Sequence, residues 1–298
     1  MEKILVIGSS NVDLIGVGNQ PLVPHDSNIG RIDLMIGGVG KNIAENLKLL
    51  RCDVSFLTFL GNDIFTRIIT DHLNRLGLDY SQSLRLDEPS GKYLAVHQPG
   101  GALEAGINDV SLIDRVTESM LSEKFDYIDG FDTLVFDTNL SQPLFDLLFS
   151  RFGGKKKIVV DGVTRAKVVK ARPHLSEIAL LKVNRNELEA LVGKPVDDVI
   201  LTLRDLAIKG MKSIIVTNGS EPITYNIDRR IYQTVVFEPK ILKSSVGCGD
   251  ALLAGTVYGL SRGLTMHEAV NVGKKAAALT MEVFTPVNPL LSPELLQD

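Results

Sequence analysis

Five short apolar runs, each closed by glycine or a polar residue, constrain this chain more than any other feature. They are KILVIG from Lys3 to Gly8, TLVFD ending at Asp137, KIVVD ending at Asp161, IALLKV ending at Val183 and SIIVT ending at Thr217. A run that is apolar at nearly every position suits a strand buried on both faces. Such strands alternating with helical stretches predict an α/β fold with a doubly wound, mostly parallel sheet. Helical period supports the alternation. Ile64 to Leu76 carries Phe65, Ile68, Ile69, Leu73 and Leu76 on one side, residues 142–151 follow the strand at Asp137, and Thr265 with Glu268 makes a capping box for a helix to about Glu282. Asp53 to Phe59 supplies a further strand, residues 222–227 and 231–237 an antiparallel hairpin at a sheet edge, and Pro286, Pro289 and Pro293 end regular structure.

Two stretches break the rhythm. Residues 19–36 hold Pro21 and Pro24 without helical period. Tyr93, Ala95 and His97 alternate with Lys92, Leu94, Val96 and Gln98, and Pro99-Gly100-Gly101 then turns the chain into a second extended piece from Ala102 to Ile107. Together they predict a small sheet covering a site, with lid segments at about 14–36 and 91–108 inserted in a single domain spanning 1–298. No repeat, low-complexity tract or linker-like stretch divides the chain.

Ligands of open α/β sheets bind at the carboxyl ends of the strands, so the polar residues after each run are the candidates. Asn11 and Asp13, in the loop after the first strand, suit hydrogen bonds to a polyhydroxylated substrate, although Asn and Asp also close turns. Gly37-Gly38 leads into Lys41, Asn42 and a helix with Ile43, Leu47 and Leu50 on one face. A phosphate-binding loop would need glycine at 35 and a hydroxyl residue at 42, where the chain has Met35 and Asn42. Asn184 and Glu187 have the spacing of a helix N-cap and its N3 partner, which serves equally for capping or for a metal or phosphate. The stretch SSVGCGDALLAGTVYGL, Ser244 to Leu260, carries most chemistry. Gly247 and Gly249 let backbone N–H groups approach an anion at a helix N-terminus, and Asp250 behind them is placed to take a proton from an attacking hydroxyl. Phosphoryl transfer needs those roles side by side. The same residues also suit a tightly packed helix start without a ligand.

A net charge of −4 gives no field to draw the chain to nucleic acid or an anionic membrane, and no apolar run reaches membrane-spanning length. Cys52 and Cys248 make neither a disulfide framework nor a CxxC metal site, and the chain enters its first strand without a leader pattern, so a cytoplasmic, reduced setting is expected. The histidines form no ligand pair, position 271 is Asn where HExxH from His267 needs His, and GxSxG does not occur. Cys248 has no evident histidine partner, and small-residue packing explains it better than a nucleophilic role.

On these residues the chain resembles the ribokinase-like family of sugar and nucleoside kinases, the PfkB carbohydrate kinases, over essentially its whole length. Gly37-Gly38 with Asn42 is similar to the family's N-terminal signature, Asn184 to Glu187 to its NxxE motif, and Ser244 to Asp250 to its C-terminal signature, usually DTxGAGD. The resemblance implies a three-layer α/β sandwich with a mostly parallel central sheet and a small β lid, and a phosphotransferase that uses ATP and Mg²⁺. It implies that Asp250 is the catalytic base, that the N–H groups of Gly247, Cys248 and Gly249 form the anion hole, and that Asn11, Asp13, Gly38 and Asn42 hold the substrate's hydroxyls. Asn184 and Glu187 would then lie near the ATP phosphates and Mg²⁺, Glu187 as the metal residue. Thr217 and Gly219 would contact the nucleotide, and Asn271 and Asn288 its adenine or ribose. Ser244-Ser245 departs from the usual Asp-Thr. In the family that Asp helps bind an activating monovalent cation, and a neutral hydroxyl there weakens the case for K⁺. Cys248 replaces the usual Ala but leaves the backbone donors intact.

Within the family, GGVGKNIAENLKLL, the Asn108-Asp109 pair after the lid hairpin and DGVTRAK from Asp161 to Lys167 most resemble pseudouridine kinases. That implies transfer to the nucleoside 5′-hydroxyl, with Asn108 near the substrate. Adenosine, another nucleoside, ribose or another sugar stay open as acceptors, and so does a non-catalytic nucleoside-binding regulatory protein on the same fold. The alternating residues 92–98 permit a homodimer through the lid.

Overall fold

The computed structural model describes residues 2–297. β1 (Lys3–Ile7) runs into β2 (Asn11–Gly18), which returns as β3 (Gly30–Gly37) and leads to α1 (Val39–Leu49). β4 (Asp53–Leu57), β5 (Phe59–Leu60), α2 (Ile64–Leu76) and β6 (Leu84–Arg85) follow, then the hairpin β7 (Gly91–His97) and β8 (Leu103–Asp109). After the short helices α3 (Glu118–Ser122) and α4 (Phe125–Asp129) come β9 (Thr133–Asp137), α5 (Gln142–Phe152), β10 (Lys157–Asp161), α6 (Arg165–Val168), β11 (Leu180–Asn184), α7 (Arg185–Val192), α8 (Val199–Ile208) and β12 (Ile214–Thr217). The hairpin β13 (Ile223–Ile227) and β14 (Arg230–Thr234) precedes α9 (Cys248–Ser261), α10 (Met266–Met281) and α11 (Pro293–Leu296).

The central sheet has the order β14-β13-β12-β11-β10-β9-β1-β4, parallel from β12 to β4 and antiparallel at β13 and β14. It is the expected doubly wound sandwich. Leu5 and Ile7 join Leu134 and Phe136 in a core completed by Phe145 and Phe149 of α5 and Leu188 of α7. Ile4 and Val6, pointing the other way, join Val135 in a second core with Ile43 and Leu47 of α1 and Leu253 and Val257 of α9. Burial on both faces is why these strands show no polar alternation.

The chain leaves β1 for α1 on one face and β9 for α5 on the other, so a crevice opens between the carboxyl ends of these neighbouring strands. Asp137, the last residue of β9, closes its base. Its Oδ2 accepts from Ser9 N (2.8 Å), Ser9 Oγ (3.0 Å) and Gly40 N (2.9 Å). Gly38, the N-cap of α1, has no side chain to cap with, so a carboxylate from a distant strand does that work at the positive end of the helix dipole. Burial pushes the Asp137 carboxyl above its usual range, and these donors oppose the shift.

The small sheet has the order β3-β2-β7-β8. Asn11 and Asp13 lie on its strand β2, not in a loop, because pairing begins at Asn11 itself, opposite Gly37 on β3 and Gly91 on β7. The run expected from Asp53 to Phe59 is broken at Thr58, whose hydroxyl donates to Gly8 O at 2.8 Å. Pro293 does not end regular structure. It sits in the first turn of α11, where the missing N–H costs nothing.

Candidate active site

Chain reversal at Gly247 starts α9. Gly247 takes a left-handed φ of 78°, a Cβ on it would collide with the Pro286 carbonyl oxygen, and no side chain caps the helix. The first helical bond runs from Ala251 N to Gly247 O (2.9 Å) and Cys248 N donates to Ser245 O (3.4 Å), so Gly249 N and Asp250 N lead the helix without an intrahelical carbonyl partner. The Cys248 thiol lies in this turn, and burial raises its pKa, which argues against a thiolate nucleophile.

Asp250 is buried two residues further on, and its Oδ2 accepts from Asn42 Nδ2 at 2.7 Å. Burial, together with repulsion from Asp161, raises its pKa to about 7 against the pull of Lys182 and Asn42. A carboxylate so poised is half ionised near neutrality, where a general base works best. Asn42 Oδ1 is buried without a hydrogen-bond partner among the described residues and is therefore left open as an acceptor. Gly38 holds the turn before α1 at φ 100°, and a Cβ there would lie 2.5 Å from Ser9 O.

On β2, Asn11 Nδ2 donates to Asp13 Oδ1. Burial lifts Asp13 to about 6, with Lys41 pulling the other way. Lys41 is itself buried on α1 and pairs with Glu45 Oε2 at 2.9 Å, and His72 Nε2 lies 3.0 Å from the same oxygen. Burial would raise Glu45, but His72 and Lys41 outweigh it and lower it to about 2. Asn108 is exposed on β8. Register puts it across Tyr93 from Asp13, on the same face of the small sheet. Lys167 of the DGVTRAK segment reaches the crevice by donating to Asn139 Oδ1 (2.5 Å), whose Nδ2 donates to Ser9 Oγ (2.9 Å).

On the other flank, Asn184 caps α7 by a reciprocal box. Glu187 N donates to Asn184 Oδ1 (2.9 Å), and Glu187 accepts from Asn184 N (2.9 Å) and Nδ2 (2.6 Å). Burial raises Glu187, opposed chiefly by Lys182. Thr217 pairs with Asn184 in register, and Gly219 follows in a left-handed turn. Asn271 lies on α10, and Asn288 lies in the loop whose Pro286 carbonyl abuts Gly247. Asn271 is exposed, with its Oδ1 accepting from Lys274 (3.0 Å), and Asn288 is spent on Leu279 O (2.7 Å) and Leu290 N (3.0 Å). Ser244 Oγ accepts from Val246 N (3.1 Å) and so closes on its own loop.

Lys182 is a further candidate, which the sequence motifs do not single out. It stands inside β11, buried and aimed at the start of α9, where a Cβ on Gly249 would come 2.5 Å from its Nζ. The available signal was a lysine inside an otherwise apolar run, since a central strand does not bury a charge without a partner.

Residues 1–292 match the family described as pfkB family carbohydrate kinase. The pseudouridine kinase of Escherichia coli (strain K12) is 27% identical over 98% of this chain and 94% of its own length. The guanosine-inosine kinase of Exiguobacterium acetylicum is 30% identical over 99% of each. The solved carbohydrate kinase from Agrobacterium tumefaciens superposes with a TM-score of 0.86 at 27% identity, covering 99% of this chain and 96% of that one. Among the described residues no helix is long and apolar enough to cross a membrane.

Proposed function

This chain belongs to the pfkB family of carbohydrate kinases and is a phosphotransferase acting on a sugar or nucleoside hydroxyl, and on that footing we propose that it transfers the γ-phosphoryl group of ATP to the 5′-hydroxyl of pseudouridine. One observation carries the reading: Asn42, from the acceptor-side helix, meets Asp250 at the anion-binding end of α9. Base, hydroxyl and phosphoryl group thereby share one point. Asp250 takes the hydroxyl proton as its oxygen attacks phosphorus, and the N–H groups of Gly247 to Gly249 stabilise the charge on the phosphoryl oxygens. Asn11, Asp13, Gly38 and the free Oδ1 of Asn42 hold the ribose, with Asn108 toward the base. Two relatives named as nucleoside kinases matching along nearly the whole chain support a nucleoside, and the first of them supports pseudouridine.

The nucleotide phosphates would run along Asn184 and Thr217, with Gly219 at the turn. Among the described residues no three His, Cys, Asp or Glu side chains converge on a metal position. That suits Mg²⁺, which keeps several waters and is held by one or two carboxylates plus phosphates. Glu187 would hold it through lone pairs its Asn184 bonds leave free. The ion, when bound, neutralises phosphate charge. An ATP donor also agrees with the cytoplasmic setting read from the sequence.

Incubation with ATP and Mg²⁺ across pseudouridine, uridine, adenosine, ribose and hexoses, followed by ADP release, tests the acceptor. Pseudouridine is expected to give the highest kcat/KM, the product to carry phosphate on the 5′ carbon, and chelation of Mg²⁺ to stop turnover. A higher kcat/KM on another member would reassign the acceptor. Calorimetric binding of a nucleoside without ADP from any member would favour the regulatory protein.

The domain reading is one kinase domain with the four-stranded sheet as its lid. One lid face carries Leu34, Leu94 and Ile107 in one row across Leu14, with Ile32 two residues along β3 on the same face, and these four are substantially exposed. A second copy covering that face would bury it symmetrically. Sedimentation should therefore find a dimer that Ile107→Lys dissociates; a wild type monomeric at all concentrations would refute the pairing.

A further inference from the structure

Lys182 is 7% exposed on a strand whose neighbours Leu181 and Val183 are fully buried. Its Nζ lies 3.2 Å from Asp161 Oδ2 and forms an ion pair with it. Asp161 is the one described residue with which the Lys182 ammonium is paired at that distance. Burial alone would lower this ammonium's pKa, but the carboxylates of Asp161, Asp250 and Glu187 outweigh it and hold the charge firmly. A buried cation is tolerated when its donors are used, and removing one partner of such a pair is costly. Here the ammonium lies against the first turn of α9, and only the absence of a side chain on Gly249 gives it room. The three carboxylates around it would otherwise repel a triphosphate.

We infer that Lys182 is a catalytic residue whose ammonium donates to a non-bridging oxygen of the transferred phosphoryl group, on the side away from the Gly247–Gly249 N–H groups, and that Asp161 is the positioning residue holding it there. This rests on the kinase reading above. In the transfer the acceptor oxygen bonds to phosphorus, the phosphorus–oxygen bond to ADP breaks, and the hydroxyl proton passes to Asp250. Lys182 keeps its proton throughout and offsets charge on the equatorial oxygens.

The test uses the full chain as wild type, Lys182→Met, Lys182→Arg, Asp161→Asn and the double variant Asp161→Asn/Lys182→Met. Steady-state kinetics are joined to calorimetry of ADP and of β,γ-imido-ATP. Lys182→Met is expected to lower kcat about 10²-fold and to weaken the triphosphate analogue more than ADP. Lys182→Arg should recover part of both losses. Asp161→Asn should lower kcat more than it raises KM. The double variant removes both members of the Asp161 ion pair, so it should melt above Lys182→Met yet turn over as slowly. Wild-type turnover by Lys182→Met, or equal weakening of both nucleotides, would overturn the assignment. If wild type phosphorylates no acceptor, the kinase reading fails, while the ratio of the two nucleotide affinities still decides for or against Lys182.

Discussion

Asp250→Asn is expected to lower kcat by about 10³-fold, within the range a general base contributes, while KM for acceptor and nucleotide stays close to wild type. The geometry separates those two quantities. An amide at 250 keeps an oxygen to accept from Asn42 Nδ2, so α1 and α9 remain joined and the residues proposed to hold the acceptor stay in place. What disappears is the ability to take a proton. The pH profile gives an independent check. With its pKa raised to about 7 by burial and by Asp161, the wild-type carboxyl is protonated, and inactive as a base, below neutrality. The rate should therefore fall as pH drops below about 7 and level off above it. In the variant that acid limb should vanish. Wild-type turnover by Asp250→Asn would remove the residue from the chemistry.

The parallel sheet was legible because its strands are buried on both faces: KILVIG, TLVFD and KIVVD have no solvent side to mark with polar residues. Capping residues were legible for a related reason, since Thr265 with Glu268 and Asn184 with Glu187 act within one turn of chain. Residues acting across the fold were not. Asp137 caps α1 from 97 positions away, and Lys182 owes its meaning to Asp161 and Gly249, which only strand order brings beside it. The same limit explains Asn11 and Asp13. Local sequence gave turn formers after a strand, whereas pairing with Gly37 and Gly91 makes them part of the small sheet. Asn288 shows the converse: an Asn in a proline-rich loop has its carboxamide committed to ordering that loop.

That loop sets the second large expected effect, because Gly247→Ala should cost about 10²–10³-fold in kcat and about 2–4 kcal/mol in stability. Two costs combine. Alanine is strained at φ 78°, and its methyl group would meet the Pro286 carbonyl, a backbone atom that cannot rotate away. Pro286 is not free to yield, since Asn288 ties the loop to Leu279 O at the end of α10. The start of α9 must therefore move, carrying with it the N–H groups on which phosphoryl charge would rest. A displacement on the order of 1 Å is enough to cost about 10²-fold when reacting groups must align. Gly77→Ala, at the C-cap of α2 and away from the site, is the matched control: its φ of 60° imposes similar backbone strain, but a Cβ there has nothing within 4 Å. It should lose about 1–2 kcal/mol and little catalysis. Thermal melts and kcat for the pair, measured side by side, separate backbone strain from displacement of the anion hole. Equal kcat in the two variants would mean that the first turn of α9 does not hold the phosphoryl group.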